Sequence, residues 1–204
     1  SDGWYFPSVF HLVKYENIHD FRRKKMKFFN EIIDEVLTIG NEISDQQVDR
    51  MTKAIQGANH IFLAGAGRSG LMIRAFANRL LHLGYSVSLV GEISSPHTKS
   101  GDLFLIGSGS GETTSLVNQA KIAKDNGVVI GLFTTNSSST LGEIADQVVI
   151  IPTQSKQSKD EALQPMGSLF EQTSLFLYDS IILNLMEKTG ETNQTMKTRH
   201  ADLE

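Results

Sequence analysis

The sequence predicts an α/β protein: a three-layer αβα sandwich built on a five-stranded, mainly parallel sheet. Three observations predict it. Five short apolar runs, HIFLAGA at 60–66, SVSLVG at 86–91, DLFLIG at 102–107, VVIGLFT at 128–134 and QVVIIP at 147–152, sit between glycine, proline or polar turn residues. Apolar residues at helical spacing fill the intervals at 69–83, 112–126 and, more briefly, near 139–145. The runs are also close to continuously apolar, the pattern of strands covered on both faces by crossover helices.

The elements follow in order. Residues 1–25 scatter Trp4, Tyr5, Phe6 and Phe10 without period and end in the basic cluster Arg22-Arg23-Lys24-Lys25. They read as an N-terminal extension ahead of Met26, which opens a helical pattern and is the expected natural start. Residues 26–204 then make a single domain with leading helices and a C-terminal tail. The basic cluster reads as a solvated charge run, not a nucleic-acid site. From Phe28, the residues Phe29, Ile32, Ile33, Val36 and Leu37 recur at helical spacing, and Ser44 with Gln47 forms a capping-box pattern for a second helix through Val48, Met51 and Ile55. The polar stretch Thr153 to Gln164 predicts a loop at the carboxyl edge of the sheet. The last long helix, Ser168 to Lys188, carries Leu169, Phe170, Phe176, Leu177, Ile181, Leu185 and Met186 on one side and Leu175, Tyr178 and Ile182 on another. That arc is wider than one sheet face requires, which predicts a subunit interface or a helix buried deep within the monomer.

Composition removes several function classes. With 204 residues, 40% hydrophobic and 21% charged, the chain has ordinary globular character. A net charge of −4 offers no field to a polyanion, so no nucleic-acid partner is expected and any phosphate must be held locally. No cysteine is present, which excludes disulfides, thiolate zinc sites and thiol nucleophiles. No apolar run approaches the ~18–20 residues of a membrane span, and no signal-peptide stretch opens the chain, so no membrane contact and a cytoplasmic location are expected. The histidines His11, His19, His60, His82, His97 and His200 show no HExxH or other close ligand spacing, and neither a metal nor another cofactor is expected.

Two glycine-rich loops carry the chemistry. Gly65-Ala66-Gly67-Arg68-Ser69-Gly70 follows a strand, opens a helix and fits the G-x-G-x-x-G pattern of dinucleotide sites, with Glu92 about 20 residues on where a ribose-binding acid would stand. Its helix-start amides suit any phosphate-bearing ligand, which makes Gly67, Arg68 and Ser69 candidates. Gly107-Ser108-Gly109-Ser110-Gly111-Glu112-Thr113-Thr114 also links a strand to a helix. Its glycines let consecutive amides turn inward as an anion nest, while Ser108, Ser110 and Thr113 can donate to phosphate oxygens. A dinucleotide site does not need this second loop, and two such loops favour a compact phosphorylated ligand. Ser110 capping the helix with Thr113 as partner is compatible with that role. The segment Thr134-Thr135-Asn136-Ser137-Ser138-Ser139 either lines the same mouth or simply makes a turn.

GAGRSG followed by GSGSGET on such a sheet resembles the sugar isomerase domain family, whose fold is Rossmann-like. Within it, Gln164-Pro165-Met166-Gly167-Ser168-Leu169-Phe170-Glu171-Gln172 and the ending Met196-Lys197-Thr198-Arg199-His200-Ala201-Asp202-Leu203-Glu204 resemble the signatures of the 6-phospho-3-hexuloisomerases. The likeness runs from about residue 28 to 204; Asp202 stands where asparagine is more usual, and residues 1–25 have no counterpart. The resemblance implies interconversion of D-arabino-hex-3-ulose 6-phosphate and D-fructose 6-phosphate by a homotetramer, without metal or redox cofactor. It implies that Ser108, Gly109, Ser110 and Thr113 grip the phosphate and that Arg79 is a further substrate contact.

Such a reaction needs a base for a carbon-bound proton and a group to exchange protons between enediol oxygens. Glu171 is the candidate base, on a helix stripe with Leu175, Tyr178 and Ile182; alternatively, Ser168 through Glu171 is a capping box and Glu171 only a helix cap. His200 is the candidate proton shuttle, in a tail folding over a site, possibly that of a neighbouring subunit. His97 is the runner-up, though its place after the second strand reads first as that of an ordinary loop histidine. Arg68 could supply charge to the phosphate or oxyanion, and Lys99 reads as solvated. Competing functions are another phosphosugar aldose-ketose isomerase, for which an extra regulatory domain would be expected, a sugar-phosphate sensor, and a dinucleotide-dependent oxidoreductase.

Overall fold

The computed structural model describes residues 26–153 and 163–203. The extension read at 1–25 and most of the polar loop after Thr153 lie outside the described residues. The chain opens with two helices, α1 (Lys27–Glu42) and α2 (Asp45–Gly57), and continues β1 (Ile61–Gly65), α3 (Gly67–His82), β2 (Val87–Leu89), β3 (Leu103–Gly107), α4 (Thr114–Asp125), β4 (Val129–Thr134), α5 (Thr140–Ile144), β5 (Gln147–Ile150), α6 (Ser168–Thr189) and α7 (Asn193–Lys197). All five expected strands are present, and every pairing between them is parallel.

The strand order is β2-β1-β3-β4-β5. Side chains alternate strictly across the sheet. Ile61, Leu63, Leu103, Leu105, Phe133 and Val149 join one core with Val36, Met51, Ile73, Phe76 and the buried residues of α6, whereas Phe62, Ala64, Phe104, Ile106, Ile130 and Leu132 join the other with Leu116, Val117, Ala120 and Leu141. The layers are therefore α1, α2, α3 and α6 on one face and α4 and α5 on the other. Period-2 alternation sorts apolar residues between two cores, which is why each run reads as continuously apolar.

One close approach fixes the start of α3. A Cβ on Gly70 would stand 2.7 Å from the carbonyl oxygen of Gly65, and one on Gly65 would stand 2.9 Å from the Gly70 Cα. Only glycine at both positions lets the helix pack this closely onto the strand it follows.

Two local expectations are corrected. Ser44 does stand at the N-cap of α2, but its side chain makes no capping bond. Gln47, its expected partner, instead uses Oε1 to accept from the Ile150 N–H at 2.9 Å, tying α2 to the sheet through β5. The second expected strand shrinks to three residues, because it is an edge strand paired only with β1.

The α6 helix is apolar around most of its circumference, as expected from the sequence. Leu177, Tyr178, Ile181, Ile182 and Leu185 are buried, while Phe176 is 54% and Leu183 65% exposed. On the outer side, α1 adds exposed Phe28, Phe29, Ile33 and Leu37. Among the described residues no helix is long and apolar enough to cross a membrane.

Candidate active site

In this strand order the chain changes direction between β1 and β3, so the loops leaving those strands diverge and leave a crevice at their carboxyl ends. A cleft of about 350 Å³ occupies that place. Ala66 and Ser69 line it from the first loop, Gly107, Ser108, Gly109, Ser110 and Thr113 from the second, and Met166, Gly167, Phe170 and Glu171 from the start of α6. Thr135 and Thr153 complete it from the ends of β4 and β5.

The second loop is fixed from behind. The Gly109 carbonyl accepts from Thr134 Oγ1 at 3.0 Å, Thr135 Oγ1 at 2.8 Å and the Thr135 N–H at 3.1 Å. Ser108, buried, accepts through Oγ from the Gly111 N–H at 3.2 Å. Gly111 has φ +69°, and a Cβ there would lie 2.0 Å from Ser139 Oγ, so both the left-handed turn and the tight packing require glycine. Glu112 accepts from the Thr140 N–H at 2.8 Å and Thr140 Oγ1 at 2.7 Å, and these bonds hold its carboxyl below the usual range. The loop is thus anchored to the β4–α5 connection before any ligand arrives. Preorganised donors cost no reordering when an anion binds.

Ser110 does not cap the following helix. Thr113 occupies the N-cap of α4 without a side-chain cap bond, and Ser110 Oγ accepts from the Glu112 N–H at 3.2 Å. Its exposed hydroxyl hydrogen remains available to a ligand in the cleft. Of the third hydroxyl-rich segment, Thr135 lines the cleft, whereas Ser139 caps α5 by accepting from the Gly142 N–H.

The capping-box alternative for Glu171 is overturned. Met166 (φ 57°) and Gly167 (φ 79°) are consecutive left-handed residues, and Gly167, not Ser168, is the N-cap of α6. Ser168 Oγ donates to the Pro165 carbonyl at 2.8 Å. Released from capping, Glu171 is only 9% exposed, and its Oε2 accepts from Arg68 Nη1 at 2.6 Å. Arg68 therefore reaches from the first loop to the carboxylate, while neither it nor Gly67 lines the cleft itself. Beneath them Tyr178 is sealed between Phe76, stacked at 4.7 Å, and Phe133, edge-on at 4.9 Å; burial pushes its hydroxyl pKa up and keeps it neutral.

The other expected contacts lie elsewhere in the chain. Arg79, near the far end of α3, has Nη1 3.3 Å from His82 Nδ1. His200 stacks on His82 with ring centroids 5.2 Å apart. Twelve residues of helix separate Arg79 from Gly67, roughly 18 Å at 1.5 Å per residue. Within one chain, then, Glu171 and His200 stand at opposite ends of α3. The tail is held there by Arg199, which donates to the His82 carbonyl at 3.0 Å and to both carboxylate oxygens of Glu191.

His97 and Lys99 are exposed and do not line the cleft. Glu92 pairs loosely with Arg74 at 3.7 Å. Among the described residues no three His, Asp or Glu side chains are grouped to hold a metal ion. The cleft residues not singled out from sequence are Ala66, Gly107, Thr153, Met166, Gly167 and Phe170. Met166, Gly167 and Phe170 lie inside the quoted 164–172 signature, but the paired left-handed turn that places them has no single-residue signal.

Two glycine loops converging with a carboxylate at the switch point of a parallel sheet define a protein that holds a small phosphorylated ligand. The chain belongs to the SIS domain family, whose model matches residues 54–182. It is 44% identical over 184 residues to the 3-hexulose-6-phosphate isomerase of Bacillus subtilis, covering 89% of this chain and all of that one. It is 39% identical over 173 residues to the enzyme of the same name from Mycobacterium gastri, covering 84% of this chain and 87% of the other. A solved structure from Methanococcus jannaschii, described as inferring a 3-hexulose-6-phosphate isomerase function, superposes with a TM-score of 0.74 at 32% identity, covering 87% of this chain and 99% of that one.

Proposed function

We infer that this chain is an isomerase interconverting D-arabino-hex-3-ulose 6-phosphate and D-fructose 6-phosphate. The observation that carries the reading is the cleft itself: an anchored loop of amides and hydroxyls on one side and the carboxylate of Glu171 on the other. The relatives of the same name span nearly their full length with this chain, which favours this substrate over other phosphosugars. Ser108, Gly109, Ser110 and Thr113 hold the phosphate, with the helix-start amides of Gly67 and Ser69 beside them.

Glu171 takes the C2 proton of the 3-keto sugar. The C–H electron pair becomes the C2–C3 double bond of an enediol, and the former carbonyl oxygen at C3 gains a proton. Removing the proton from the C2 oxygen and returning one to C3 gives fructose 6-phosphate, so atoms and charge balance without a redox partner. His200 moves protons between the two oxygens.

Because His200 and Arg79 sit at the opposite end of α3 from Glu171, a complete site takes them from a neighbouring copy. The exposed apolar surfaces of α6 and α1, including Phe176, Leu183, Phe28 and Phe29, supply faces for a homotetramer, the assembly this reading adopts. Residues 26–204 form the one domain, and the cytoplasm is the compartment that suits a chain without cysteine.

The test is to incubate the protein with fructose 6-phosphate in heavy water and follow the sugar by NMR. A new 3-keto sugar with deuterium at C2, together with deuterium at C3 of the remaining substrate, is expected. No product and no exchange would remove the reading.

A further inference from the structure

Arg68 holds the carboxylate that the reaction needs free. A carboxylate bonded at 2.6 Å to a guanidinium has one oxygen committed and its charge matched, which is a poor state in which to take a proton from carbon. The two partners differ in freedom. The Arg68 side chain is 45% exposed and the Glu171 side chain 12%, so the arginine is the one that can swing away. Glu171 lines the same cleft as the hydroxyls of Ser110 and Thr113. A sugar phosphate seated there brings close to two negative charges and several acceptor oxygens, against one charge on Glu171.

We propose that Arg68 is a phosphate-operated latch: the substrate's phosphate draws the guanidinium off Glu171 and so releases the base only when a phosphorylated sugar is bound. Losing that partner frees the Oε2 of Glu171 to face the carbon-bound proton. The phosphate then contributes to turnover as well as to binding, since binding energy from a remote part of the substrate prepares the reacting centre. The proposal rests on the reading of Glu171 as base, and Arg68 is on this account a positioning residue whose partner changes during the cycle.

The experiment separates the two halves of the substrate. Exchange of the C3 proton of unphosphorylated fructose in heavy water is measured with and without phosphite dianion, in the unaltered protein, Arg68→Met and Arg68→Gln. In the unaltered protein, phosphite is expected to stimulate exchange by about 10-fold or more, the scale of one charge-assisted hydrogen bond. In both variants the stimulation disappears, and exchange without phosphite rises toward the phosphite-stimulated rate, because no guanidinium holds Glu171. With fructose 6-phosphate, the variants raise KM.

A uniform loss in both variants, with phosphite stimulation intact, would show a fixed orienting partner and overturn the latch. Absence of phosphite stimulation in the unaltered protein would overturn it too. Failure of the underlying reading looks different: Glu171→Gln would then exchange fructose 6-phosphate at the normal rate, or the unaltered protein would not exchange it at all. Either removes the latch along with its premise. Unchanged thermal midpoints for the two variants establish that the comparison is made on folded protein.

Discussion

The helices α3 and α6 begin at the same edge of the sheet, and near each end of the pair an arginine meets a glutamate. At the carboxyl edge, Arg68 offers a single nitrogen to a largely buried Glu171, which lines the cleft. At the other end, Arg199 engages Glu191 through Nη1 and Nη2, at 3.0 and 2.9 Å, and adds a bond to the His82 carbonyl. Glu191 also accepts from Thr195 Oγ1, while Thr192 and Thr195 form a reciprocal capping box for α7. A doubly bonded fork supported by a backbone acceptor is a fastening. A single contact has no such support, and on the proposed latch a bound phosphate displaces it. The same pair of residue types thus makes one bond at one end and a supported fork at the other.

The most severe way to test this contrast is Glu171→Gln. An amide cannot take a carbon-bound proton, so kcat is expected to fall by about 10²–10⁴-fold while fructose 6-phosphate still binds, measured by turnover and by calorimetry. Turnover near normal would remove Glu171 as the base. Next, deleting residues 197–204 should lower kcat by roughly 10²-fold, in the range of a lost proton-transfer group, with little change in thermal midpoint. Mixing that truncated chain with Glu171→Gln under subunit exchange should restore part of the activity, because one copy supplies the base and the other the tail. No recovery would place both groups in a single chain.

A smaller effect is expected of Ser110→Ala. Losing one hydrogen bond to a charged group should weaken fructose 6-phosphate binding by about 10-fold, while fructose itself is barely affected. Equal losses for both would sink the phosphate-loop assignment. Mildest is the response of the far end to acid. The Arg199 and Thr195 hydrogen bonds lower the Glu191 pKa to about 2 from an ordinary 4.5. The folded value is the lower one, so the clasp contributes fully above pH 4.5 and is lost as pH falls toward 2. Protection of the Arg199 and His200 amides, taken relative to the intrinsic exchange rate at each pH, should fall across that window while the strands stay protected; a tail equally protected at both pH values would contradict the clasp.

What could be read from the chain divides along the length scale of the interactions. The strands are written locally, in runs such as Leu103 to Gly107, and the hydroxyl-rich side of the cleft is legible because Ser108, Ser110 and Thr113 are near neighbours in sequence. The pairing of Arg68 with Glu171 joins residues 103 positions apart, and nothing local marks it. The capping box at Ser168 misled because the motif was present but the two left-handed residues before it, Met166 and Gly167, set the helix start one residue earlier. Gln47 misled in the same way, its local partner giving way to Ile150 in a distant strand. Arg79 and His200 came from family likeness; the fold gathers them around His82, at the far end of α3.

The placement of α6 also has a temporal side. By the time a ribosome has added residue 150, the core shared by β1, β3 and β4 with α4 and α5 has all its parts. The opposite core lacks Leu177, Tyr178, Ile181, Ile182 and Leu185 until about 35 further residues exist, a wait of several seconds at about 5–20 residues per second. Through that interval Phe76 and Phe133 have no Tyr178 ring against them, and the space among α1, α2 and α3 that α6 fills stands open to solvent. Nascent chains stalled between residues 150 and 168 should accordingly bind a hydrophobic dye and holdase chaperones, and chains released past residue 190 should not.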